Sequence, residues 1–214
     1  MLGVRVLGVA LAAVLLAGCA GSHVYRQPTS TPGPRDYGAT IAAPMEDAWQ
    51  RVVSNAAKSF FVVNNIDRSS GFINLSFSGD PTLIVDCGEI EGFVQNARGR
   101  RDYRFQAAAQ RVSYEFFDEL GFLMAADRAM TLNARVNIIL RPESPASTSL
   151  TATFRYVLTR RQDLRQAGTY ASRTIDDTVT VSPGDTAVLG AQQTAITCVS
   201  SGKAERALVE QLAR

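Results

Sequence analysis

Residues 132–140, LNARVNIIL, and residues 150–158, LTATFRYVL, decide the fold class. In the first run Leu132, Ala134, Val136, Ile138 and Leu140 alternate with Asn133, Arg135, Asn137, Ile139 and Arg141. In the second, Leu150, Ala152, Phe154, Tyr156 and Leu158 alternate with Thr151, Thr153, Arg155, Val157 and Thr159. A period of two puts successive side chains on opposite faces of a strand, one buried and one wet. Pro142-Glu143-Ser144-Pro145 supplies turn chemistry between the runs, so together they read as an antiparallel hairpin.

Upstream of this hairpin, Phe72 to Ser78 alternates in the same way, with Ile73, Leu75 and Phe77 against Asn74, Ser76 and Ser78. Phe60 to Arg68 is rich in β-branched and aromatic residues, and Ser69-Ser70-Gly71 turns it back. Before that strand, Met45, Ala48, Trp49, Val52, Val53, Ala56, Ala57 and Phe60 keep helical spacing. Pro44 suits the start of that helix, and Glu46 and Asp47 favour its first turn through the dipole. Asp36 to Ala43 is an extended lead-in. Downstream, Arg173 to Val181 and Thr194 to Val199 read as strands around Pro183-Gly184. A final helix after Ser200-Ser201-Gly202 carries Ala204, Ala207, Leu208 and Leu212 on one face. The expected fold is α+β: an antiparallel sheet with an N-terminal and a C-terminal helix packed on one face.

Composition narrows function more by exclusion than by assignment. The 214 residues are 46% hydrophobic and 20% charged, in the globular range. A net charge of +2 is too balanced to point to nucleic acid. His23 is the single histidine, and it falls in a proline-containing stretch where a solvated role is expected. One histidine argues against Ser–His–Asp triads and multi-histidine metal sites. No phosphate-cradling glycine motif or nucleophile elbow occurs. Neither a catalytic set, a metal site nor a cofactor is expected.

Residues 1–18 carry one positive charge at Arg5 and an apolar run from Val6 to Ala17, the pattern of a signal peptide. Leu16-Ala17-Gly18-Cys19 resembles the lipobox of bacterial lipoproteins. In that family cleavage precedes the cysteine, which is then acylated, so the resemblance implies Cys19 as a lipidated N-terminus. Several acyl chains give the stable anchoring that one does not. Ala20 follows, with no Asp in its place, which by resemblance to enterobacterial sorting implies the outer membrane, periplasmic face. Residues 19–38, with Pro28, Pro32 and Pro34, are expected to be a flexible tether, and residues 39–214 a single periplasmic domain.

Cys87 and Cys198 remain. In an oxidising periplasm they are expected to pair, closing a loop of about 110 residues worth roughly 4–5 kcal/mol. The alternative is a reactive thiol, with Asp86, Glu89 and Glu91 near Cys87. Arg98, Arg100, Arg101 and Arg104 cluster in an apparent loop with Tyr103 and Phe105, and Phe116, Phe117, Leu120, Phe122, Leu123 and Met124 follow without a clean period. The arginines are either a solvated loop or a contact for an acidic partner or anionic lipid. The apolar segment is either core or an exposed patch.

Ala42-Ala43-Pro44-Met45-Glu46-Asp47-Ala48-Trp49, leading to Asp67-Arg68-Ser69-Ser70-Gly71-Phe72-Ile73, is similar to the start of the helix-grip module in BamC-like outer-membrane assembly lipoproteins. The match spans roughly residues 39–79, and one such module is present where that family has two. The resemblance implies a helix-grip-like domain and a role beside an envelope assembly machine. The functional expectation is an outer-membrane-anchored interaction protein, with no nucleic-acid partner, touching an envelope protein through Arg98, Arg100, Arg101, Tyr103, Arg104, Phe116, Phe117 and Phe122. The alternative is a binding module for a lipid or other apolar ligand between the Trp49 helix and the sheet.

Overall fold

A computed structural model of the chain describes residues 20–191 and 194–214; the expected signal peptide and Cys19 lie outside the described residues. Thirteen strands and two α-helices are formed among them. In chain order these are β1 (Ala20–Arg26), β2 (Tyr37–Ile41), α1 (Met45–Ala57), β3 (Val62–Asp67), β4 (Phe72–Gly79), β5 (Val85–Asp86), β6 (Glu89–Asn96) and β7 (Gly99–Gln106). There follow β8 (Arg111–Phe117), β9 (Leu123–Ser144), β10 (Ser147–Gln166), β11 (Ser172–Val181), β12 (Thr186–Leu189), β13 (Ile196–Ser200) and α2 (Lys203–Ala213).

The spine is the β9–β10 hairpin, of 22 and 20 residues, far longer than the two runs that announce it. Leu140 pairs with Leu150, Val136 with Phe154 and Leu132 with Leu158, and the same register continues to Met124 opposite Gln166. Each of its outer edges is shared by two shorter strands. On β10, β2 pairs near the turn and β11 pairs from Tyr156 outward. On β9, β4 pairs from Leu132 to Ile139 and β8 from Leu123 to Ala129. The hairpin therefore has two halves, a tip half flanked by β2 and β4 and a base half flanked by β8 and β11.

The two halves are covered differently because their inward residues differ. In the tip half the inward side chains are aliphatic or aromatic apart from Thr148, whose hydroxyl donates to the Ala43 carbonyl, and Leu132, Val136, Ile138, Ala152 and Leu158 are fully buried. Ala48, Trp49, Val52 and Ala56 of α1 and Leu208, Val209 and Leu212 of α2 join the same core cluster. Each large apolar side chain buried there contributes about 1.5–3 kcal/mol. In the base half the buried phase runs on through Ala126, Arg128 and Met130 on β9 and Arg160, Gln162 and Leu164 on β10. A helix with an apolar stripe does not suit that surface. A second antiparallel sheet, in the order β1-β6-β7, lies against it instead, and β12-β13-β5 forms a third.

Two expectations are overturned. The fold is β-rich, three sheets with two helices, and not a helix-packed α+β sheet of the helix-grip kind. The difference arises in residues 89–131, where β6, β7 and β8 mix polar and half-buried positions and so lack the clean alternation that a one-sided sheet shows. The stretch read as a tether is also built into the body. β1 pairs with β6 along its whole length, from Ala20 opposite Gln95 to Arg26 opposite Glu89. Ser30 N–H donates to Asp86 at 3.0 Å, Gly33 N–H donates to the Ser200 carbonyl at 3.1 Å, and Tyr37 begins β2. Prolines break up this segment, but backbone pairing does not depend on the apolar periodicity it lacks.

Candidate functional site

Above the base half of the hairpin is a half-open cavity of about 870 Å³. Its floor is the inward face of the hairpin, with Arg128 from β9 and Arg160, Gln162 and Leu164 from β10. Tyr114 and Phe116 of β8 and Ile175 of β11 form the sides, and His23 of β1 and Ile90 of β6 form the cover. The exposed residues Glu119, Leu120 and Arg173 lie at the rim.

β1 seats on this floor because its residues alternate by size. Gly21, His23 and Tyr25 face inward. At Gly21 an added Cβ would come within 2.5 Å of the Phe117 ring and 3.0 Å of the Phe93 carbonyl oxygen, so only glycine lets β1 approach β8. His23 stacks on Tyr114 with ring centroids 5.6 Å apart and planes 9° apart. Its outer edge stays exposed, while burial of the stacked face, helped by the nearby Arg128 charge, holds its imidazole below the ordinary value. The Tyr25 hydroxyl lies 3.1 Å from both the Cys87 and Thr197 carbonyl oxygens and accepts from Thr197 N–H at 2.8 Å. One side chain thus ties β1 to the third sheet.

The two buried arginines of the floor are unequal. Arg160, 2% exposed, donates to Asp177 through Nε and a terminal nitrogen at 3.0 and 2.5 Å, and to the Thr194 carbonyl at 2.7 Å. Gly190 lets the backbone pass over that guanidinium, since a Cβ there would fall 2.3 Å from it and φ is +84°. Arg128, 3% exposed, has no carboxylate within 4 Å among the described residues. One terminal nitrogen donates to the Ala107 carbonyl at 2.9 Å, the guanidinium lies 5.1 Å from the Phe105 ring centroid, and Nε has no hydrogen-bond partner among the described residues. Burial pushes its pKa down to about 10, partly offset by Tyr114 and reinforced by Arg160. The group is still charged at neutral pH, so the cavity floor holds one more positive charge than negative. Burial pushes the Tyr114 phenol up against the pull of both arginines, and its oxygen accepts from Gln162 at 3.0 Å.

The residues expected to form a contact surface fall into two groups that meet at the start of β1. The arginine segment is not a loop but the β6–β7 hairpin, with Arg98 in its turn. Arg100 chelates Asp102 and lies 3.8 Å from the Phe93 ring centroid, Arg101 pairs with Glu115 at 2.5 Å, and Arg104 pairs with Glu89 at 2.8 Å. Arg98 alone of the four makes no ion pair among the described residues. Tyr103 is half-buried, 3.4 Å from Glu115. Phe116 and Phe117 end β8 half-buried, Phe116 in the cavity wall and Phe117 beneath Gly21. Phe122 and Leu120 sit in the turn to β9, 47% and 80% exposed. The segment is thus core at one end and exposed at the other.

Cys87 and Cys198 are bridged, with their Cα atoms 4.0 Å apart. The carboxylates near Cys87 have structural partners. Asp86 accepts from the Gly88 and Ser30 backbone N–H groups, which hold its carboxyl below the ordinary value although burial alone would raise it. Glu89 and Glu91 pair with Arg104 and Arg26. His23, Tyr114, Arg128, Arg160 and Gln162 were not identified as site residues from the sequence. The signal was present, since carrying the alternation of 132–140 and 150–158 two residues at a time into the base half lands on Arg128, Arg160 and Gln162. No protein-family model matches the chain, and comparison with curated proteins finds no relative.

Proposed function

We propose that the chain is a lipoprotein of the outer membrane, acylated at Cys19 and facing the periplasm, that acts without catalysis as an accessory to an envelope assembly or secretion complex. The observation that carries this reading is the junction of lipobox and fold: Cys19 immediately precedes Ala20, which is already paired, opposite Gln95, in β1. Acyl chains at that position would hold the body against the bilayer, without a spacer. The exposed Leu120, Phe122 and Tyr170, and Arg98, which makes no ion pair among the described residues, lie in turns near that end, because Phe117 underlies Gly21, the Ala167 N–H donates to Leu123 and Ala20 pairs with Gln95 beside the turn that holds Arg98. No helix among the described residues is long and apolar enough to cross a membrane. Cys19→Ser is expected to move the protein from the membrane pellet to the soluble periplasmic fraction. Unchanged sedimentation with membranes would refute the anchor. Crosslinking in intact cells through a photoreactive residue at position 122 is expected to yield one reproducible envelope partner.

A second reading, a binding module for a lipid or other apolar ligand, is favoured by the cavity over the base half. Its volume lies within the range of about 300–1,000 Å³ usual for small-molecule sites. The site is not between α1 and the sheet, where Trp49, Val52, Ile138 and their neighbours are close-packed.

A further inference from the structure

We infer that the cavity takes a single-chain fatty acid, with its carboxylate against Arg128 and its chain among Ile90, Phe116, Leu164 and Ile175. This rests on the ligand-binding reading and names the chemistry of the ligand. Charge sets the head group. A buried guanidinium without a counter-charge is costly to the fold, and a bound anion relieves that cost. Among the described residues Arg160 already has Asp177, whereas Arg128 has the neutral Ala107 carbonyl and an Nε–H with no hydrogen-bond partner. Of the acids lining the cavity, Asp118 is turned to the N–H groups of Leu120 and Phe122 in its own turn, and Glu119 is exposed to water. One uncompensated positive charge calls for a monoanion. A phosphate monoester, at about −1.5 to −2, would overshoot it. The planar fork of Arg suits a carboxylate.

The remaining lining sets the tail. Ile90, Phe116, Leu164, Ile175 and Ile196 supply the apolar part of the lining, with the exposed Leu120 also lining the cavity. A cavity that sets these apolar side chains beside a buried guanidinium without a carboxylate partner among the described residues suits an amphiphile.

The test uses the full chain in phosphatidylcholine vesicles with a palmitate analogue bearing a diazirine on its chain, and the matching palmityl alcohol as control. After irradiation, peptide mapping is expected to find adducts of the acid on residues 112–117 and 162–175, at least about tenfold above the alcohol. Arg128→Gln is expected to reduce labelling by the acid to the level of the alcohol. Ile175→Trp, which fills the cavity from an edge strand and leaves Arg128 in place, is expected to abolish labelling by both. An intact Cys87–Cys198 bridge and an unchanged melting midpoint control for folding. Should Arg128→Gln not fold, the acid-to-alcohol ratio and Ile175→Trp still decide. Equal labelling of the cavity by acid and alcohol would leave the ligand-binding reading standing and overturn the anionic head group. Adducts nowhere in the cavity would overturn both.

Discussion

At the scale of single residues, the base of the hairpin is governed by what its buried charges find to bind. Arg160 and Asp177 face each other across β10 and β11, which pair at those positions. Asp177→Asn removes the charge but keeps the shape, leaving a guanidinium that is 2% exposed with no counter-ion except what the cavity supplies. Breaking one side of a buried pair costs about 3–5 kcal/mol, and urea denaturation of Asp177→Asn is expected to show a loss of about 3 kcal/mol, at the lower end because Asp177 keeps some contact with water. The equivalent change at Asp127, whose partner Arg165 is exposed, is expected to cost under about 1 kcal/mol. Equal losses at the two positions would mean that water in the cavity solvates Arg160 as fully as bulk solvent does.

At the scale of elements, β1 is the one whose attachment matters most for any function at the membrane. It sits at the edge of the second sheet, its outward residues including Val24 are exposed, and it is held by backbone pairing to β6, by the Tyr25 hydroxyl and by the fit of Gly21 against Phe117. Gly21→Val puts a branched side chain where a single Cβ already clashes. In hydrogen exchange, the amides of residues 20–24 are expected to exchange at least about tenfold faster in this variant, while α1 and the tip half of β9 and β10 keep their protection. Uniform acceleration across the chain would show that β1 is part of one global cooperative unit. The tether expected over residues 19–38 failed for a reason visible in this element. Proline and small polar residues lower the apolar content, but β1 is held chiefly by main-chain hydrogen bonds, and these leave little mark on side-chain pattern.

At the scale of the whole molecule, the Cys87–Cys198 bridge joins the link between β5 and β6 to β13 of the third sheet, 111 residues apart. It ties the lid sheet that covers the cavity to the C-terminal segment that carries α2. Removing a cross-link over a loop this long is expected to lower the unfolding free energy by about 4 kcal/mol in the chain-entropy model. Comparing urea midpoints of the native protein and of Cys87→Ala/Cys198→Ala measures it, and a difference below about 1 kcal/mol would mean that strain offsets the entropic gain.

By itself the sequence determined the tip half of the β9–β10 hairpin, α1, β4 and α2. In each case a local period or a short ordered motif carries the information. The pairing of Cys87 with Cys198 was legible as an expectation from composition and compartment alone. Only the tertiary structure decided that β1 closes over the base half, that residues 89–106 form a hairpin of a second sheet while residues 111–117 pair with β9, and that Arg128 and Arg160 face inward. Inward arginines break a hydrophobic alternation. A pattern sought in apolar residues therefore ends where the buried charges begin, and those charges become interior only when strands distant in the chain are laid over them.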